Sequence, residues 1–553
     1  MEPLILAFVF LAASLLRLSF STVETSDQWV SFWLIARQRR HAWITDEARD
    51  SIVGGTYGYP SLQHFLVSRL PQRLWGLAGR FTNIAYDLIG AGCVYWLAWR
   101  ASGASAPGAI IAGLSAPAAA TVLFLTAPVL LPTTSRLLAI KGRAMGMMWI
   151  ILYLTTVQQA MSSGAWWLYA IALLLAQLII LSSMFALQVA LFFSVVLSLY
   201  LFSAVPVLVA AASIALGLLL PGVGTRPALR FMWHHKRWYL RNYRKGTTAS
   251  ERNRLRDIVA LPATLFMNPK RFIRLSTTKI TPVIGPLSAP LAFVVVVFVV
   301  ADPRLRQLIT DHESLNFLFG VILASLILFI LTSFPLLSSF GQAERYFEYS
   351  AHAFSVLGAS LLAYWNPPLR DAMFWVFLFG HLAVIFYQFT AVRLKEIWRS
   401  EAQIPPALGE VLRWCDTSLE GGRILTVPCK LGFLLSSRLN RKTKPRFLFY
   451  HKFMQRQGER AFQYYQQDTG GMIEKNGVWM ESKQVFRRPP AELAREYGVT
   501  HFIIDRKYIE GLVRTWGAHP NDLLGVPLFE NAAYVMYAVP EEPQPASDAG
   551  GAT

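Results

Sequence analysis

The residues best placed for chemistry are acids, arginines and tyrosines that gather where apolar segments end. Asp27 follows the first apolar run, and an acid just beyond a span end, at headgroup depth, meets a lipid-linked molecule and water together. Farther along, GTYGYPSLQHFLVSRL (55–70) reads as a loop entering an interfacial helix and carries Tyr57, Tyr59 and His64. The stretch LLAIKGRAMG (137–146) sets Lys141 and Arg143 between two apolar runs, and GQAERYFEYS (341–350) sets Glu344, Arg345, Tyr346 and Glu348 between two others. Glu344 and Glu348 lie four apart, on one face if that segment is helical. Asp46, Glu47 and Asp50 carry hard oxygens that could ligate a divalent cation such as Mg or Mn. Arg49 within that cluster and Arg37, Arg39 and Arg40 nearby offer salt bridges to the same carboxylates.

Such residues need elements to hold them, and composition says what kind. Of 553 residues, 54% are hydrophobic and only 15% charged, with mean hydropathy +0.38. A soluble domain carries about a quarter charged residues, so much of this chain belongs in lipid. Apolar runs long enough to span a hydrocarbon core of about 30 Å predict about eleven transmembrane helices. They fall near 3–20, 81–99, 106–131, 144–161, 165–183, 185–202, 204–221, 284–301, 315–336, 351–365 and 372–392. The first has no basic leader and no small-residue cleavage site, so it reads as a retained anchor. The expected fold is a polytopic α-helical membrane protein over 1–392 with hydrophilic loops 21–80 and 222–283. A soluble α/β domain is expected over 393–540, with strands near 423–428, 447–450, 501–504 and 533–539 and a helix at 491–497. Residues 541–553 have the composition of a disordered tail.

The span interiors are nearly empty of ionisable groups, which cost roughly 2.5–3.5 kcal/mol each at a helix centre. Asp87 and His381 are the clearest exceptions, and Arg17 is near enough to a span end to snorkel. A transporter or lipid-linked glycan flippase needs such groups to meet its cargo, and usually shows repeated halves, which this chain lacks. An enzyme at the membrane surface needs them in loops, where they are found. The net charge of +19 is concentrated in loop 222–283, with fourteen Lys or Arg against two acids. Interleaved with Trp233, Trp238, Tyr239 and Tyr243, it reads as an interfacial segment for anionic lipid headgroups or a donor's phosphate, not for nucleic acid. The positive-inside rule would draw these basic loops into the cytoplasm. Eleven spans and a cytoplasmic N-terminus put them outside, with the C-terminal domain. Three cysteines exclude a disulfide framework, although Cys415 and Cys429 share the soluble domain and an oxidising compartment permits a bridge between them.

Taken in order, these features resemble the GT-C superfamily of polyprenyl-phosphate-dependent membrane glycosyltransferases. The acid after the first span, the Tyr-Pro loop before the second, the basic loop before the fourth, the Arg-Tyr pair before a late span and the α/β domain carry the likeness. One departure is chemical: many members place a second acid near the third-to-fourth span loop, where this chain has Lys141 and Arg143. The resemblance implies sugar transfer from a polyprenyl phosphate to a glycan, lipid or protein acceptor, with inversion, at the outer face of a bacterial inner membrane. A single displacement needs one general base, and Asp27 fits by position. The departing phosphate needs fixed cations, for which Arg345, Lys141 and Arg143 are the candidates, against an ordinary headgroup contact. Tyr57, Tyr59, His64, Tyr346, Glu344 and Glu348 are candidates for the substrate pocket, with an interfacial aromatic belt explaining the rings equally well. A flippase and a non-catalytic scaffold of envelope assembly are the alternatives.

Overall fold

The computed structural model describes residues 2–20, 26–39, 41–44, 47–52, 56–105, 109–130, 140, 142–220, 224–242, 263–269, 289–334, 337, 340, 343–388, 406–419, 421–439, 445–448, 454–455, 472–475, 478–481, 486 and 488–539. The chain divides into two compact units. One is Met1–Ser31, Gln38–Thr45 and Tyr59–Ala402, and the other is Phe32–Arg37, Asp46–Gly58 and Gln403–Thr553.

The first unit is helical. Each of the eleven apolar segments carries a helix: α1 (Glu2–Phe20), α4 (Trp75–Ser105), α5 (Ala116–Leu125), α6 (Arg143–Ser163), α7 (Trp166–Ser182), α8 (Met184–Tyr200), α9 (Val205–Leu219), α11 (Pro290–Ala301), α13 (Glu313–Ser333), α14 (Arg345–Tyr364) and α15 (Pro367–Gln388). Between them stand the shorter loop helices α3 (Leu62–Ser68), α10 (Thr225–Asn242) and α12 (Pro303–Asp311), while α2 (Ser26–Gln38) starts in this unit and has its Phe32–Arg37 portion in the second. Among the described residues, Glu313–Ser333 and Pro367–Phe386 are long and apolar enough to cross a membrane, and five further apolar helices have 10–17 residues. The nearly unbroken apolar stretch 165–221 divides for local reasons. Ser183 turns extended and its hydroxyl caps α8 by accepting from the Ala186 N–H, and Pro206 sits in the first turn of α9. Segment 106–131 is not one continuous helix. A short hairpin, β2 (Ile110–Ile111) and β3 (Leu114–Ser115), precedes the ten-residue α5, and a 3₁₀ turn follows at Pro128–Leu130. The Pro and Gly residues of that stretch break the helix that hydropathy alone would draw.

Helix α14 is the axis of this unit. Every residue from Tyr346 to Ala363 is buried, and it packs against α4, α5, α11 and α13. Its many small residues let neighbours close in, as helix pairing in lipid requires. A Cβ on Gly358 would already meet Leu291 at 3.0 Å. Arg17 does not snorkel. Its Nε donates to Asp87 Oδ2 at 2.6 Å and its Nη1 to the Ala13 carbonyl at 3.2 Å, tying α1 to α4 with both side chains buried. His381 Nδ1 lies 3.3 Å from Thr126 Oγ1, joining α15 to the end of α5.

The second unit is α/β. Its sheet has the order β10 (Phe529–Glu530), β11 (Tyr534–Ala538), β9 (His501–Asp505), β4 (Arg423–Val427), β5 (Arg446–Phe447). The pairs β4–β5 and β4–β9 are parallel, while β9–β11 and β11–β10 are antiparallel. Central β4 and β9 are each buried along four of their five residues, as inner strands of a parallel pair are. The helices are α16 (Pro406–Ser418), α17 (Cys429–Arg438), α18 (Pro490–Tyr497), α19 (Ile509–Trp516) and α20 (Pro520–Leu524). The early loop extends this sheet. Ser51 bridges Phe447, the Ile52 N–H donates to the Phe447 carbonyl at 2.8 Å, and the Phe447 N–H donates to the Asp50 carbonyl at 2.8 Å. Nearby, β1 (Thr56–Tyr57) pairs with β6 (Met454–Gln455), and a hairpin forms from β7 (Met472–Lys475) and β8 (Val478–Glu481). Cys415 and Cys429 are both buried free thiols, so no disulfide joins them.

Candidate functional site

Among the described residues of the helical unit, buried charge gathers where α6 and α14 begin. Gly142 precedes α6 because nothing larger fits: a Cβ there would run into the Ser182 carbonyl. That close approach fixes where Arg143, the first residue of α6, must stand. Its Nη2 donates to Glu348 Oε2 at 2.5 Å, and both side chains are buried, 7% and 0% exposed. Arg345 opens α14 one turn before Glu348, and Glu344 beside it is buried too. Among the described residues, neither Arg143 Nε nor Arg345 Nε has a hydrogen-bond partner. Helix N-termini carry partial positive charge of their own, so the buried Arg143 and the half-buried Arg345 at two helix starts form an electropositive locus.

Aromatic rings and an amide hold these cations in place. Arg345 lies 5.8 Å above the Phe185 ring, which packs against Tyr346 at 5.1 Å and Tyr349 at 5.7 Å. Gln188 of α8 donates to the Tyr346 hydroxyl at 2.5 Å and also to the Phe340 carbonyl, and Tyr346 itself donates to that carbonyl at 3.3 Å. Over the Phe340 ring, at 5.6 Å, sits Lys236 of α10. Burial first, and the Arg345 charge second, push the Lys236 ammonium down to about 8. Arg345 in turn feels Arg143, Glu344 and Glu348. Three cations, Arg143 buried and Arg345 and Lys236 half-buried, thus act on one another in the presence of two buried carboxylates. An anion of single charge would balance them, and a guanidinium fork suits phosphate oxygens.

The candidate residues divide between the two units. Arg143, Arg345, Glu344, Glu348 and Tyr346 come together as described, with Tyr346 fully buried and its hydroxyl held inside the scaffold. Tyr59 and His64 also belong to the helical unit and meet edge-on at 6.1 Å. Asp27 is in the first turn of α2, within the helical unit, and its side chain lies outside the described residues, as does that of Tyr57 on β1 in the α/β unit. Lys141 and Asp46 lie outside the described residues. Of the acids weighed as cation ligands, Glu47 accepts from Arg49 Nε at 2.6 Å. Asp50 accepts from Trp33 Nε1 at 2.6 Å and from the Ser436 hydroxyl, tying Trp33 and α17 together within the α/β unit. Among the described residues no group of three or more metal-ligating side chains gathers.

Two contributors to the locus were not singled out from sequence. Lys236 was one of fourteen basic residues in its loop, and Gln188 sat inside an apolar run. A polar amide among apolar neighbours is itself a signal, because an amide buried in lipid needs a partner.

No known family pattern matches the chain, and no curated protein matches it. Solved structures do. The oligosaccharyltransferase of Archaeoglobus fulgidus, tethered to an acceptor peptide with the NVT sequon, aligns with TM-score 0.51 and 12% identity over 93% of this chain and 71% of its own. The archaeal oligosaccharyltransferase AglB from the same organism, with an inhibitory peptide and a dolichol-phosphate, aligns with TM-score 0.49 and 12% identity over 91% and 69%. At 12% identity, the likeness to the oligosaccharyltransferase is one of fold.

Proposed function

Starting from that fold and the GT-C resemblance, we propose that the chain is an integral-membrane glycosyltransferase. It moves a sugar from a polyprenyl-phosphate donor to a glycan, lipid or protein acceptor, with inversion, at the outer face of a bacterial inner membrane. The observation that carries this reading is the pair of guanidiniums at two helix starts, Arg143 buried and Arg345 half-buried, each with a buried Nε that has no hydrogen-bond partner among the described residues. Asp27 takes the proton from the acceptor hydroxyl. The acceptor oxygen bonds to the anomeric carbon as the bond from that carbon to the phosphate oxygen breaks, and the electron pair leaves with the phosphate. Arg143, Arg345 and Lys141 stabilise the charge that develops there, an effect of about 2.7–4 kcal/mol per well-placed donor.

A polyprenyl monophosphate donor bears a single negative charge, and the described groups, Arg143, Arg345 and Lys236 against Glu344 and Glu348, carry one net positive charge to meet it. The buried Arg17–Asp87 pair supports an enzyme over a flippase, since it leaves Asp87 engaged by an arginine rather than facing a cargo path. The test is transfer by the purified chain in lipid nanodiscs, offered polyprenyl-phosphate sugars, beside Asp27→Asn. Transfer by the native chain and its loss in the variant are expected. No transfer with any such donor, together with an unchanged cellular glycan in Asp27→Asn, rejects the reading.

A further inference from the structure

The GT-C fold raises the question of a divalent cation at the leaving phosphate, and the residues here fit one poorly. A dication needs carboxylate oxygens free to face it. Glu348, a buried carboxylate near where the phosphate would sit, is already bound to Arg143 at 2.5 Å. Arg345 stands a turn away and Lys236 lies within its field. A metal placed among these groups would feel three positive charges against two carboxylates, one of them already paired with Arg143. On the loop leading into α6, where a further acid would help to hold it, the sequence has Lys141 and then Arg143.

We propose that the Arg143 guanidinium, seated on Glu348, takes the place a divalent cation would otherwise hold beside the departing phosphate, so that transfer by this chain runs without metal. The inference rests on the glycosyltransferase reading and specifies its electrostatics. Geometry supports the substitution. Arg143 is positioned from two sides: Gly142 presses the start of α6 against the Ser182 backbone, and Glu348 fixes the fork from α14. With Nη2 on the carboxylate, the buried Nε, which has no hydrogen-bond partner among the described residues, remains to donate. Glu348 acts here as a positioning residue. It sets the guanidinium plane and offsets part of the charge of Arg143 and Arg345 while the site is empty of substrate.

Two measurements on the full chain in nanodiscs decide the matter. In the first, transfer is followed after exhaustive EDTA treatment and again with Mg²⁺ or Mn²⁺ restored. The expected result is a rate unchanged by chelation, with Arg143→Ala slower by roughly 10²–10³-fold at native metal content. Activity that EDTA abolishes and Mn²⁺ restores overturns the inference while leaving the glycosyltransferase reading intact. Absence of transfer under every metal condition instead counts against that reading. The second measurement needs no turnover: Mn²⁺ binding is titrated by electron paramagnetic resonance. The native chain is expected to show no saturable site that depends on Glu348, and Arg143→Ala, which removes the guanidinium bound to that carboxylate, is expected to gain Mn²⁺ affinity. Saturable Mn²⁺ on the native chain that disappears in Glu348→Gln overturns the proposal.

Discussion

At the scale of single residues, the energetics are those of charges taken out of water. A buried ion pair adds little net stability, but removing one partner strands the other. Asp87→Asn leaves Arg17 without its carboxylate, and a loss of about 3–5 kcal/mol is expected, read as a lower unfolding temperature in detergent. Lys236 makes a different prediction. Its ammonium is held down to about 8 in the free protein by burial and by Arg345. A bound phosphodiester raises that value, so affinity for a non-hydrolysable donor analogue is highest below pH 8 and declines as pH rises through it. Lys236→Met should flatten that profile, and a profile unchanged in the variant would remove Lys236 from the site. In the α/β unit, burial lowers the His501 imidazole below its ordinary 6.5. The unfolded chain then binds that proton more readily, so stability contributed by neutral His501 is present above pH 6.5 and falls as pH drops through it. His501→Gln should weaken the acid-side slope in a pH series of unfolding midpoints.

At the scale of elements, what matters is which helix starts come together. Gly142→Ala must push α6 off the Ser182 backbone and carry Arg143 with it. Displacement of about 1 Å at such a group costs on the order of 10²-fold in rate, measurable as reduced turnover with donor affinity less affected. Much of this level was legible beforehand. Each long apolar run carries a helix over at least part of its length, and the β4, β9 and β11 strands stood out as short, mainly apolar runs between turn residues. Other features could not be read from local pattern. Arg143 and Glu348 are 205 positions apart, and nothing in either neighbourhood announces the other. Hydropathy averaged the hairpin and α5 into one span, since it ignores where proline and glycine fall. The candidate site was half legible for the same reason. Arg143, Arg345 and the two glutamates stand at span ends where charge is conspicuous, whereas Lys236 was hidden among many equivalent bases and Gln188 within a hydrophobic run.

At the scale of the whole molecule, topology is the open lever on function. Reporter fusions after Ser31, Thr248 and Arg423 should all report the outer side, and a cytoplasmic result at all three would reverse the active face. The make-up of the α/β unit carries its own consequence for how the protein comes to exist. Residues Phe32–Arg37 and Asp46–Gly58 belong to it, and Asp50, Trp33 and Ser436 form one hydrogen-bonded knot. The ribosome makes the first of these, Trp33, just over four hundred residues before the last, Ser436. During biogenesis, therefore, an early extramembrane segment must wait, with Phe32 and Trp33 uncovered, until the carboxyl-terminal portion emerges to enclose it. Chaperone dependence and protease sensitivity near residue 33 are the marks such a nascent chain would bear, and supplying residues 403–553 as a separate polypeptide should relieve both.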